Sequence, residues 1–135
     1  MTHKNFEYKI QILEHHLDSF GHVNNAKYLE LYEQARWDFI TKNGYGIDKI
    51  IQEKKGPVIL DVNCRFKSEI LNRETITIKS ETVEQKGKIG RVKQVILKEN
   101  ENIASDAVFT IGFMDLEKRK LVNPPDDWLI AIGVK

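Results

Sequence analysis

The stretch that decides the fold of this chain spans eleven residues, Asp18-Ser19-Phe20-Gly21-His22-Val23-Asn24-Asn25-Ala26-Lys27-Tyr28. It places Asn24 or Asn25 where a side-chain oxygen can cap the first turn of a helix. Apolar residues then recur at steps of three and four, which predicts one long helix with a wide buried stripe: Leu29, Tyr32, Ala35, Phe39 and Ile40, joined by Tyr28, Leu31 and Trp37. Gly44 is expected to end this helix in a left-handed conformation.

Most of the remaining chain alternates with the period of β-strands. A first strand is predicted from Phe6 to near Leu13, and a second from Val58 to Phe66. Three more are centred on residues 76–83, 92–97 and 103–113, with turns at 84–88 and 99–102. Residues 47–56 permit a second small helix or an ordered loop. In the second strand, one face is expected to carry Val58, Leu60, Val62, Cys64 and Phe66, and the other Ile59, Asp61, Asn63 and Arg65.

This order of elements, one strand, one long helix and then an antiparallel meander, predicts an α+β protein with a five-stranded antiparallel sheet. A chain of 135 residues fits a single domain, taken here as residues 1–135. One helix covers only one face of such a sheet. Apolar residues predicted on the other face, such as Ile59, Val95 and Leu97, indicate burial against a second subunit.

Composition excludes several classes of function. With 21 basic and 20 acidic residues the net charge is +1, so no global field attracts nucleic acid. No apolar run reaches the roughly 20 residues of a membrane span, and the N-terminus lacks the apolar core of a signal peptide, so we expect a cytoplasmic protein without a membrane partner. The single cysteine, Cys64, excludes an intrachain disulfide framework and is expected to pack in a strand.

Asp18 is the leading candidate for chemistry because it lies just ahead of a helix start. The first turn of a helix carries unpaired N–H groups and the positive end of the helix dipole. A carboxylate held beside it can act on a polarised carbonyl, which suits acyl transfer. The alternative is that Asp18 only forms a side-chain turn with the backbone near Phe20 or Gly21.

A metal site is the other functional site that this region could form, since its side chains include four potential ligands: His15, His16, Asp18 and His22. Their spacing matches no recognised site. On a strand-like segment His15 and His16 would point to opposite faces, so one ion could not easily bind both. We therefore expect neither a metal nor another cofactor.

The same residues carry a resemblance to a known family. Asp18, Gly21, Asn25 and Tyr28 resemble the pattern of the hotdog-fold acyl-CoA thioesterases of the 4-hydroxybenzoyl-CoA thioesterase type. The stretch from His22 to Asn25 is similar to the His-Val-Asn-Asn of the plant acyl-carrier-protein thioesterases. Glu33 and Arg36 continue the resemblance along the helix, and residues 57–66, 106–113 and 119–124 extend it over nearly the whole chain.

The resemblance implies a hotdog fold, in which the five-stranded sheet wraps around the long helix, and hydrolysis of an acyl-CoA or acyl-carrier-protein thioester without a cofactor. Asp18 would be the general base or the nucleophile, and the backbone N–H of Asn25 the oxyanion donor. Gly21 would allow a tight turn or close approach of the thioester. His22 would orient Asp18 or water, or bond within the loop. The family's active site lies between two subunits, so a homodimer or homotetramer is expected.

Two alternatives to catalysis by Asp18 fit the same sequence. A second hypothesis is a non-catalytic hotdog module that binds acyl-CoA or an acyl lipid, because fold does not determine function, although Asp18 and the helix-start pattern argue against it. A related hotdog branch uses a helix glutamate as its nucleophile, which makes Glu30 or Glu33 a second choice. Glu33 and Arg36 are otherwise expected to pair along the helix. Tyr28, Tyr32 and Trp37 either line an acyl pocket or belong to the core.

Overall fold

The computed structural model describes residues 4–135, which form six strands and three α-helices. The strands are β1 (Asn5–Gln11), β2 (Lys55–Phe66), β3 (Thr75–Lys86), β4 (Ile89–Leu97), β5 (Ile103–Asp115) and the short β6 (Lys120–Leu121). The helices are α1 (Asn25–Lys42), α2 (Ile47–Glu53) and α3 (Asp126–Ala131). A single 3₁₀ turn, Glu14–His16, follows β1. The small helix permitted at residues 47–56 is therefore present as α2, whereas β6 and α3 were not predicted.

The sheet is antiparallel throughout, in the order β1-β3-β4-β5-β2, with β6 paired to β5. The prediction of a simple meander after the helix is wrong in one respect. Strand β2 does not pair with β3, which follows it in the chain, but crosses to the far edge and pairs with β5. Periodicity detects strands but not their partners, because pairing depends on contacts distant in sequence.

A bulge in β2 changes which of its residues share a face. The register with β5 shifts between Ile59 and Asp61, leaving Leu60 as the extra residue. Because directly paired residues share a face, Ile59 lies with Val62, Cys64 and Phe66 on the side of α1, and Leu60 lies on the outer side near Gly112. The predicted alternation holds only from residue 61 onward. Ile59 therefore does not lie on the outer face, and the prediction for this residue is wrong.

Helix α1 crosses the concave side of the sheet, with Tyr28, Leu31, Tyr32, Ala35, Phe39 and Ile40 buried. A main core lies between this helix and the inner faces of β3, β4 and β5, and includes Tyr32, Ile78, Ile96 and Phe109. A second core joins the end of α1 to α2 and α3 around Tyr45, Phe113 and Trp128. Gly44 has a φ of 98°, the predicted left-handed conformation just beyond the helix.

Candidate active site

The loop between β1 and α1 is a small antiparallel turn that presents Asp18. Leu17 and Val23 form a β-bridge, and the Asp18 N–H donates to the carbonyl of His22 at 3.0 Å. The turn closes through the Gly21 N–H, which donates to the Asp18 carbonyl at 3.2 Å. Gly21 has a φ of 82°, a conformation that side chains disfavour. The glycine is thus required by the backbone of the turn.

His16 supports this loop from below. Its Nδ1 accepts the Leu13 N–H at 2.9 Å, and its carbonyl accepts the Asn24 N–H at 3.1 Å. Accepting at Nδ1 requires the neutral imidazole with its proton on Nε2. Burial lowers the pKa of His16, with a further contribution from His15, and so favours that neutral form. The loop is also tied to the following segment, since the Val23 N–H donates to the carbonyl of Ile70 at 3.0 Å.

The Asp18 carboxylate has one engaged and one open oxygen. Oδ1 accepts the Phe20 N–H at 2.9 Å, so the side-chain turn predicted as the alternative to catalysis is present. Oδ2 lies 3.7 Å from Nδ1 of His22, and the two side chains are 21% and 34% exposed. The turn therefore orients the carboxylate without using both oxygens. That arrangement is compatible with a chemical role.

At the start of α1, capping leaves one backbone donor free. Asn24, rather than Asn25, is the N-cap: its Oδ1 accepts the Ala26 N–H and its carbonyl accepts the Lys27 N–H, both at 2.9 Å. Asn25 is then the first helical residue. Its N–H has no acceptor among residues 4–135, and it lies at the positive end of the helix dipole. An oxyanion placed there would be stabilised by both effects.

This helix start opens into a cleft of about 260 Å³. Its walls come from α1 and its preceding loop on one side and from the end of β2 on the other: His22, Val23, Asn25, Tyr28, Phe66, Lys67, Ser68 and Glu69. The Tyr28 and Phe66 rings meet edge to face, 4.9 Å apart. Burial raises the pKa of Tyr28 to about 12, so its hydroxyl stays protonated. The cleft thus joins the predicted residues His22 and Asn25 to an aromatic wall.

A second, apolar cavity lies further along α1, between the helix, β2 and α3. It has a volume of about 110 Å³ and is lined by Trp37, Ile59, Ile111 and Trp128 among others. Arg36 also lines it, with its guanidinium carbon 4.1 Å from the centre of the Phe109 ring. Burial lowers the pKa of Arg36 to about 10, which leaves it charged at neutral pH. Phe66, which lines the cleft, Val62, and Ile59, which lines this cavity, share one face of β2 and form an apolar stripe along the strand.

Other candidates from the sequence have different surroundings from those expected. His15 and His16 lie in the 3₁₀ turn with their ring centres 4.0 Å apart, not on opposite faces of a strand. Even so, no group of three or more potential metal ligands comes together within the described residues. Arg36 donates to Oε1 of Gln94 at 2.9 Å. The ion pair predicted between Glu33 and Arg36 is not present within residues 4–135.

Of the remaining candidates, Glu30 and Cys64 make structural contacts, whereas Glu33 borders the apolar cavity. Glu30 pairs with Lys27 at 3.0 Å on the helix surface, and Glu33 is exposed. Burial raises the pKa of the half-buried Cys64 thiol, whose Sγ lies 3.7 Å from Oγ of Ser105. Ser68 and Glu69 as cleft residues, and Gln94 as the partner of Arg36, were not predictable from the sequence. Only the three-dimensional path of β2 and the pairing of β4 bring them to α1.

Comparison with known proteins gives consistent matches over most of the chain. Residues 13–132 match the family model of the Thioesterase-like superfamily. The long-chain acyl-CoA thioesterase FadM of Escherichia coli (strain K12) is 33% identical over 113 residues, which cover 83% of this chain and 85% of that protein. Within residues 4–135, no helix is both long and apolar enough to cross a membrane.

Two solved structures illustrate the likeness in fold. YbaW, a probable thioesterase from Escherichia coli, superposes with a TM-score of 0.79 at 30% identity, covering 87% of this chain and 88% of its own. The hypothetical protein SAV2348 from Staphylococcus aureus, solved in complex with CoA, superposes with a TM-score of 0.90 at 15% identity. That match covers 98% of this chain and 84% of SAV2348. The curled sheet around a helix is the hotdog fold that the resemblance implied.

Proposed function

Because the chain belongs to the thioesterase-like superfamily, we propose that it hydrolyses acyl-CoA thioesters to a free acid and coenzyme A. Two features together carry this proposal. The first N–H of α1, that of Asn25, is free, and the loop just before the helix presents the Asp18 carboxylate with one open oxygen. The 33% identity to a long-chain acyl-CoA thioesterase supports the same substrate class.

In the proposed reaction the thioester carbonyl oxygen accepts a hydrogen bond from the Asn25 N–H. As a nucleophile adds to the carbonyl carbon, negative charge collects on that oxygen, and a donor in this position is worth roughly 3 kcal/mol in the transition state. The tetrahedral intermediate then collapses, the carbon–sulfur bond breaks, and the thiolate of coenzyme A leaves and takes up a proton.

Asp18 supplies the nucleophile by one of two routes. As a general base, its Oδ2 removes a proton from water, and the resulting hydroxide adds to the carbonyl carbon. As a nucleophile, Oδ2 itself bonds to that carbon, and water then hydrolyses the mixed anhydride. His22, at 3.7 Å from Oδ2, orients the carboxylate or the water in either route. ¹⁸O in the Asp18 side chain after a single turnover in H₂¹⁸O would establish the nucleophilic route, because only water that attacks Cγ of Asp18 in the mixed anhydride labels this carboxylate.

We place the acyl chain along the apolar stripe of β2. Ile59, Val62 and Phe66 are 42%, 38% and 51% exposed, an unusual exposure for three apolar side chains beside a buried helix. The stripe leads from the cleft to the cavity next to Trp37, which would hold the far end of a long chain. Apolar contact along this path supports a fatty acyl group as substrate.

We also propose that a second copy of the chain covers this stripe. Strand β2 has 12 residues and one unpaired edge, and an exposed apolar edge of that length promotes association. A two-fold axis would pair β2 with its copy. A lysine in place of Val62 would then convert the dimer to a monomer and reduce hydrolysis, as followed by light scattering and thiol release. A monomeric wild type would contradict the dimer, and an unchanged dimer mass in the lysine variant would contradict pairing through β2.

The test of the function is thiol release by the purified protein from acyl-CoAs of two to eighteen carbons, with acyl-carrier-protein thioesters as a second panel. Wild type is expected to release thiol from acyl-CoA, and folded Asp18→Asn to lose about a hundredfold or more in kcat. Asp38→Asn, on the far half of α1, is the matched control. Full turnover by Asp18→Asn would reject the mechanism, and tight binding of acyl-CoA without release by wild type would favour the non-catalytic module.

A further inference from the structure

A group of fully buried polar side chains lies under the middle of α1. On the central strands these are Ser80, Gln94 and Ser105, and the helix contributes Tyr32. Polar groups in a core need an explanation, because burying them without hydrogen bonds is unfavourable. None of their side-chain nitrogen or oxygen atoms is unsatisfied within the described residues.

Gln94 is the centre of this group. Its Nε2 donates to the main-chain carbonyl of Tyr32 at 3.1 Å and to Oγ of Ser80 at 2.9 Å. Its Oε1 accepts from the guanidinium of Arg36 at 2.9 Å. The reversed amide would place Oε1 against the Tyr32 carbonyl and Nε2 against a cation, so these contacts define its orientation.

Tyr32, whose carbonyl accepts from Gln94, makes a second hydrogen bond to the sheet through its side chain. The Tyr32 hydroxyl donates to Oγ of Ser105 at 2.7 Å, and burial raises the pKa of Tyr32. A helical carbonyl has two lone pairs, so that of Tyr32 can accept from Gln94 without losing its bond along the helix. Strand β4 thus contacts the backbone of α1, while β5 contacts its side chain.

We propose that Gln94 is a positioning residue for hydrolysis, because its hydrogen bond to the Tyr32 carbonyl sets the position of α1 along the sheet and hence that of the Asn25 N–H. This inference rests on the proposed function. Apolar packing is not directional, whereas hydrogen bonds from a central strand to a helix carbonyl are.

Gln94 contacts α1 close enough to Asn25 for a shift of the helix to move the Asn25 N–H. Asn25 precedes Tyr32 by seven residues, which is about 10 Å along a helix. A misplacement of about 1 Å at a reacting centre can cost about a hundredfold in rate. A small slide or rotation of α1 would therefore lower kcat, while the cleft that binds substrate would remain largely intact.

The experiment replaces Gln94 by methionine, which keeps the length of the side chain and removes all three hydrogen bonds. Ile78→Ala on β3 is the control, since Ile78 is buried in the same core and makes no polar side-chain contact. At a temperature where both variants are fully folded, Gln94→Met is expected to lose about ten- to a hundredfold in kcat, with KM within about threefold. The control is expected to retain kcat within about twofold.

Gln94→Glu provides a second variant in case the methionine variant fails to fold. It keeps an acceptor for Arg36 but turns an oxygen toward the Tyr32 carbonyl, so it should also lose kcat. Equal kcat values for a folded Gln94 variant and Ile78→Ala would overturn the proposal.

A readout independent of activity separates this inference from the function on which it rests. The amide resonances of Asn25 and Ala26 are expected to shift in Gln94→Met and not in Ile78→Ala. If wild type releases no thiol, the proposed function fails, whereas these resonances still report whether Gln94 positions the helix. Unshifted resonances in Gln94→Met would contradict the positioning role itself.

Discussion

Replacing Gly21 by alanine tests whether the turn that presents Asp18 is needed for activity. The φ of Gly21 is 82°, and a Cβ added there would have no atom within 4 Å. The substitution therefore introduces backbone strain without a steric clash. Gly44, just beyond the end of α1, has a φ of 98° and is equally open, so Gly44→Ala is a matched control at a distance from the site.

The expected strain follows from the conformation. Holding a residue with a side chain in the left-handed region costs about 1–2 kcal/mol. For a chain of 135 residues, that lowers the melting temperature by roughly 3–7 °C in both variants. At residue 21 the turn can relieve its strain by opening, since few hydrogen bonds close it: Gly21 to Asp18 at 3.2 Å and Asp18 to His22 at 3.0 Å. If the turn relieves all of this strain by opening, the fraction of molecules with the turn closed falls by about 5- to 30-fold.

The assay combines thermal unfolding with thiol release at a temperature where all variants are folded. Gly21→Ala should lose kcat/KM by up to the 5- to 30-fold given above, while Gly44→Ala should stay within about twofold of wild type. Gly21→Asn should recover part of the loss, because asparagine tolerates the left-handed region better than alanine. Equal kcat/KM values for the two alanine variants would refute the reasoning.

Three other outcomes are expected. Because burial lowers the pKa of His16, the unfolded state takes up a proton at a higher pH than the folded state. The unfolding free energy should therefore be constant above the unfolded-state pKa of about 6.5 and fall as the pH drops below it. His16→Asn keeps an acceptor for the Leu13 N–H and should reduce this loss of stability in acid, as measured by denaturation at several pH values. Asn24→Ala should lower the unfolding free energy by about 1 kcal/mol in urea titrations, and Asn24→Asp should not. Ile59→Trp should fill the apolar cavity and reduce kcat/KM for long-chain acyl-CoA more than for acetyl-CoA; equal reductions would place the acyl chain elsewhere.

The long helix and the strands were predictable because their signals are local. The apolar stripe of α1, its cap at Asn24 and its end at Gly44 follow from spacing and backbone preference. The position of β2 at the sheet edge was not predictable, since pairing with β5 spans about fifty residues. The bulge at Leu60 was also invisible in the alternation, and it reversed the predicted face of Ile59.

The family, the thioesterase class and the hotdog fold implied by the motif are confirmed by the comparisons. The roles of Asp18, Gly21, His22 and Asn25 stay predictions; of the four, His22 and Asn25 line the cleft. The sequence did not predict the wall of the cleft from Phe66 to Glu69 or the contacts of Gln94. They depend on where distant strands meet α1, which no local pattern encodes.

The most direct test of the central claim compares proline and alanine at position 25. Proline is favoured at the first position of a helix, and Asn24, with φ −66° and ψ 143°, already has the extended backbone that a following proline requires. Asn25→Pro thus removes the N–H donor while preserving the helix, whereas Asn25→Ala removes only the side chain. If the N–H stabilises the oxyanion, kcat should fall by about 10²–10³ in the proline variant and stay near wild type in the alanine variant. Retained kcat in a folded Asn25→Pro protein would contradict the account.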